Sequence, residues 1–113
     1  MTTIVINDKV VGISGHSGYA EAGKDIVCAG ISALAWTLAG ALQKIEALEW
    51  FEEKDGDMAI HYKQNLQAQI YVDMFSTGAE MMEYKYPDNV RVLGRNSELK
   101  NDKIDEKGGV ACH

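Results

Sequence analysis

Two side chains in this sequence have the types needed for nucleophilic catalysis, His16 and Cys28, standing twelve positions apart. The cysteine reacts as a thiolate, and that anion is favoured where free backbone N–H groups and the partial positive charge of a helix start converge. Asp25 is a suitable N-cap, which puts Ile26, Val27 and Cys28 at the first three helical positions. His16 follows a predicted strand and can fold back across a glycine-rich loop to exchange a proton with the sulfur. The bland reading of Cys28, a small buried hydrophobe, stands level with this one on spacing alone.

Two other chemistries compete for the same stretch. Gly18-Tyr19-Ala20-Glu21-Ala22-Gly23-Lys24 matches seven positions of a phosphate-binding loop, but Asp25 stands where Ser or Thr is required for the metal. The predicted topology also lacks a parallel βαβ unit. His16, Cys28, His61, Cys112 and His113 are all metal-ligand types, yet no C-x-x-C or H-x-x-x-H pair anchors them, so no metal and no cofactor is expected. His61 reads instead as a strand residue facing solvent or a sheet edge. Ser17 is no rival nucleophile, because Gly15-His16-Ser17-Gly18 is not a G-x-S-x-G elbow.

The elements that must position these residues follow from hydrophobic periodicity. Thr3–Ile6 and Lys9–Ser14 flank Asn7-Asp8 and read as a β-hairpin. From Asp25 to Leu48, apolar residues recur every three or four positions, predicting a long alanine-rich helix that should be central and mostly buried. Glu49–Lys54 and Asp57–Lys63 flank Asp55-Gly56, a two-residue hairpin signal. Asn65 starts a second helix with Leu66, Ile70, Met74, Thr77, Met81 and Tyr84 on one face, ending before Pro87, and Asn89–Leu93 is a last strand. The order is ββαββαβ, an α+β domain over residues 1–93 with a mostly antiparallel sheet and two helices packed on it. Residues 94–113 are polar and charged and read as a disordered tail.

Composition narrows the partners. The chain has 113 residues and a net charge of −6, which disfavours non-specific binding to nucleic acid and suits basic proteins or peptides. No apolar run near 18 residues is apparent and no secretory leader opens the chain, so a soluble cytoplasmic protein without a membrane contact is expected. Two cysteines are too few for a disulfide scaffold.

The segment Gly15-His16-Ser17-Gly18-Tyr19-Ala20, followed by Gly23-Lys24-Asp25-Ile26-Val27-Cys28-Ala29-Gly30-Ile31-Ser32-Ala33-Leu34, resembles the signature of the ribosomal-processing cysteine protease Prp family. The resemblance runs on to Tyr86-Pro87-Asp88-Asn89-Val90-Arg91-Val92. It implies a homodimeric cysteine endopeptidase that removes a short N-terminal extension from a large-subunit ribosomal protein. Carried over by residue, Cys28 is then the nucleophile and His16 the general base, with Gly15, Asp25 and Ser32 in support. A non-enzymatic binding module of the same fold and a protease of a phage structural protein are the alternatives.

The supporting roles read as follows from their chemistry. Asp25 either orients His16 or only caps the helix. Ser32 lies one helical turn after Cys28, on the same face. Gly15 allows close approach of the substrate or of the histidine loop. Backbone N–H groups at the helix start, that of Cys28 among them, are candidate oxyanion donors. Ser17, Gly18, Tyr19, Gly23 and Lys24 form the expected substrate loop or lid. Trp36, Tyr62 and Tyr71 are candidate peptide contacts, with Trp36 more readily read as helix core.

Overall fold

The computed structural model describes residues 1–21 and 23–94. The chain runs β1 (Thr2–Ile6), β2 (Val10–Ser14), α1 (Ile26–Lys44), β3 (Leu48–Lys54), β4 (Asp57–Tyr62), α2 (Leu66–Lys85) and β5 (Val90–Gly94). This is the α+β order read from the sequence. Gly94 closes β5 opposite Ile6 and so belongs to the domain, not to the tail; the expected disorder of the rest of the tail lies outside the described residues.

The five strands form one sheet in the order β3-β4-β2-β1-β5. The two hairpins are antiparallel, and β2 joins them by pairing antiparallel with β4. Only β5 runs parallel, beside β1. Both flanks of β4 are already taken by β2 and β3, so α2 carries the chain across the sheet to the free edge of β1. The Asp55-Gly56 turn adopts φ of 37° and 83°, the left-handed pair that a two-residue hairpin requires.

Alternation along the strands sends Ile4, Ile6, Val11, Ile13, Ile60, Tyr62, Val90 and Val92 into a single core. The helices answer with Val27, Ile31, Ala35, Leu38 and Leu42 from α1 and Ala68, Val72, Phe75 and Ala79 from α2. Both helices touch one another, which leaves each with an outward side.

Four expectations change here. The first helix is not mostly buried: one face is core, while Ile26 and Trp36 stand 58% and 53% exposed, because two layers can cover only one side of it. This helix also has the length and composition of a membrane-spanning segment, with a mean hydropathy of 1.6, contrary to the expectation that no apolar run approaches 18 residues. In the second helix the stripe Leu66, Ile70 and Met74 points outward, and the inward face is built instead of Ala68, Val72, Phe75, Ser76 and Ala79. Tyr62 is 1% exposed and donates its hydroxyl to the Asn7 carbonyl at 2.6 Å, so it cannot meet a peptide.

Leu42 is fully buried in the core. Leu42→Ala is expected to lower unfolding stability by about 3 kcal/mol, and urea denaturation followed by circular dichroism measures it.

Candidate active site

The helix start is built as the spacing predicts. Asp25 is the N-cap of α1 in an extended conformation, and its Oδ1 accepts the Cys28 N–H at 2.9 Å. Its Oδ2 accepts the Ser17 hydroxyl at 2.5 Å and, more loosely, the Ala20 N–H at 3.5 Å. Desolvation of this carboxylate favours its neutral form. The hydrogen bonds from Ser17, from the Cys28 and Ala20 amides and from the Cys28 side chain outweigh that, and hold the Asp25 pKa down at about 2.

Asp25 makes no hydrogen bond to His16 among the described residues. Its reach to the histidine runs through Ser17, the next residue along the chain. Ser17 is 2% exposed and saturated: its hydroxyl donates to Asp25 and accepts from the Tyr19 N–H, and its carbonyl accepts Asn89 Nδ2 at 2.9 Å. Its own N–H donates to Cys28 Sγ at 3.3 Å, a contact suited to a thiolate. Tyr19 leans edge-on against Tyr86, with ring centroids 5.4 Å apart. The first part of the expected lid is therefore tied to the body of the protein.

His16 is exposed and projects toward the β3–β4 turn. Gly15 before it sits at φ 84°, and a Cβ there would come within 2.6 Å of the Met1 carbonyl oxygen. The close approach expected at Gly15 is thus made by the chain's own N-terminus, and no other residue fits.

His16, Cys28 and Ser32 line two adjoining cavities. One, of about 230 Å³, is floored by Ile13, Ile31 and Met58 and rimmed by Gly15, Gly56 and Asp57. The other, of about 670 Å³, runs beneath Gly18, Gly23 and Lys24 to Trp36. Trp36 is two helical turns beyond Cys28 and lines this groove, where the sequence reading favoured a core position. A thiol and an imidazole in one open cleft, with room for extended chain on either side, can carry acyl transfer.

Of the other ligand types only His61 falls among the described residues, and it stands apart from the cleft. His61 lies on the sheet with its ring against Trp50 and is absent from the cleft lining, while Cys112 and His113 lie outside the described residues. The strand before the glycine-rich loop is paired antiparallel on both sides, which is no setting for a phosphate loop. The Cys28 N–H, a candidate oxyanion donor, is committed to the Asp25 cap. Sequence reasoning missed Asn89 and the Ser17 N–H, because a side chain bonded to a loop carbonyl 72 positions away leaves no periodic trace.

Known proteins share this architecture. The crystal structure of an essential ribosomal processing protease Prp from S. aureus, in complex with a covalently linked product peptide, matches with a TM-score of 0.77 and 25% identity over 84% of this chain and 100% of that one. The same S. aureus protease in complex with a substrate peptide gives a TM-score of 0.71 at 24% identity over the same shares, a likeness of fold. The ribosomal processing cysteine protease Prp of Bacillus subtilis (strain 168) is 30% identical over 92 residues, 71% of this chain and 80% of that protein. Fold and relatives define a cysteine protease, a hydrolase. A family model described as cysteine protease Prp matches residues 1–91, and the chain belongs to that family.

Asp25→Ala is expected to cost about 1 kcal/mol through loss of the cap. The sign of its pH dependence follows from the lowered pKa: the contribution is complete above the ordinary value of 3.8 and is lost as pH falls toward 2. Thermal unfolding of the wild type and Asp25→Ala between neutral pH and pH ~2 should show the gap closing at the acid end.

Proposed function

We propose that the protein is an endopeptidase that removes an N-terminal extension from a large-subunit ribosomal protein, with Cys28 as nucleophile and His16 as general base. The observation that carries this reading is that both residues line the same two cavities at the start of α1. The ribosomal substrate rests on the likeness to the ribosomal processing proteases described above, and a net charge of −6 suits the basic segments of such a protein.

In this mechanism the extended substrate lies along the groove under Gly18, Gly23 and Lys24, and its scissile carbonyl is presented to Cys28. The thiolate adds to that carbon, and the Ser17 N–H that steadied the sulfur remains beside it. His16 delivers a proton to the leaving nitrogen, the C–N bond breaks, and the new N-terminus departs. A thioester to the extension is left on Cys28. Water then adds to the thioester carbonyl, giving its proton to His16, and the extension leaves as a carboxylate with the thiolate restored.

Asp25 and Ser32 act around the reacting pair: Asp25 through Ser17 and the helix cap, Ser32 as a wall of both cavities. The enzyme works in the cytoplasm, as its substrate requires, on a peptide segment with no direct nucleic-acid contact. It assembles as a homodimer, for which the exposed stripe Leu66, Ile70 and Met74 supplies an apolar face.

Unprocessed large ribosomal subunits incubated with the protein should lose the extension of one subunit protein, read by intact-mass spectrometry. Cys28→Ala and His16→Ala are each expected to reduce that rate by about 10³-fold or more with the fold intact. Wild-type rates from Cys28→Ala would reject the assignment.

A further inference from the structure

The β3–β4 turn reaches the cleft through two contacts that the family signature around His16 and Cys28 does not contain. A Cβ built on Gly56 would lie 2.8 Å from His16 Nε2, 2.9 Å from Cε1 and 3.4 Å from Cδ2. The imidazole therefore occupies the space in which any other residue would carry its side chain. Next to it, Asp57 Oδ1 accepts the Gly15 N–H at 3.2 Å.

The register explains why this bond exists. β2 pairs with β4 as far as Ile13 opposite Met58, and then β2 leaves the ladder. The Asp57 side chain takes over as acceptor for the N–H of Gly15. On the other side of the same residue, the Gly15 carbonyl accepts the Thr2 hydroxyl at 3.5 Å. The residue before His16 is held from two strands, and the ring of His16 is seated on a third element.

We infer that the β3–β4 turn is a positioning element of the active site, in which Gly56 seats the His16 imidazole and Asp57 fixes the peptide that carries it. The inference rests on the Cys28–His16 reading given above. Gly56 has a second reason to be glycine, its φ of 83° in the hairpin, so the two roles must be separated. Asparagine tolerates the left-handed region better than other side chains, yet it fills the place of the imidazole. A turn that served only the hairpin would accept Gly56→Asn.

Iodoacetamide labelling of Cys28 at neutral pH, followed by peptide mass mapping, reads the geometry without needing the natural substrate. The rate is measured for the wild type, His16→Ala, Gly56→Asn, Asp57→Ala and Asp57→Asn, with thermal midpoints to show that each is folded. A misplacement of the order of an ångström is enough for losses of about 10²-fold in a catalytic constellation. Gly56→Asn and Asp57→Ala are expected to fall to the slow rate of His16→Ala, about tenfold or more below the wild type. Asp57→Asn, which keeps an acceptor oxygen, should label near the wild-type rate. Folded Gly56→Asn and Asp57→Ala that label as fast as the wild type, while His16→Ala is slow, would overturn the inference alone. A His16→Ala protein that labels as fast as the wild type would remove the Cys28–His16 reading and the inference with it.

Discussion

The carboxylate of Asp25 joins two segments that the chain would otherwise leave independent. One oxygen caps α1 by accepting the Cys28 N–H, and the other accepts the hydroxyl of Ser17 from the loop that carries His16. An anion is suited to this place because it meets the unpaired amides and the positive end of the helix. Once the carboxylate is fixed, the Ser17 N–H is aimed at Cys28 Sγ. The cap thus sets the helix register that presents the thiol and the loop geometry that flanks it.

The sheet supplies what the cap cannot. The Met1 carbonyl just ahead of β1 excludes a side chain at Gly15, β1 contributes the Thr2 hydroxyl that bonds the Gly15 carbonyl, β4 contributes Asp57, and the approach to β5 contributes Asn89. Three strands remote in sequence converge at the end of β2 where the chain turns toward His16. Parallel pairing of β5 with β1 is what brings Asn89 there, so the α2 crossover is part of the construction of the cleft.

The two hairpins, both helices and the cap at Asp25 were legible because each leaves a local signature: alternation, a 3.6-residue period, Asp-Gly between β-formers, a capping residue three positions before Cys28. Which strands would neighbour one another was not, since joining β2 to β4 and β1 to β5 depends on how helices cover the sheet. Periodicity also misjudged direction. The large apolar residues Leu66, Ile70 and Met74 recur as a core face would, yet the helix turns the face with Ala68, Val72, Phe75 and Ala79 inward. Trp36 was misplaced for the related reason that α1 is apolar on more faces than the core covers. At the site, His16 and Cys28 were visible by type, and the resemblance paired them. Ser17, Asn89 and the β3–β4 turn were not read as partners, because their contacts are single hydrogen bonds and close approaches across long sequence separations.

Trapping the covalent intermediate tests most directly that Cys28 is the nucleophile held by this arrangement. The protein is mixed with unprocessed large ribosomal subunits, quenched in acid within the first turnover, and its mass is measured intact and after digestion. The account predicts a hydroxylamine-labile adduct that joins the terminal carbonyl of the released extension to Cys28, present in the wild type and missing from Cys28→Ala. Cleavage that proceeds with the adduct on another residue, or at an undiminished rate in Cys28→Ala, would contradict it.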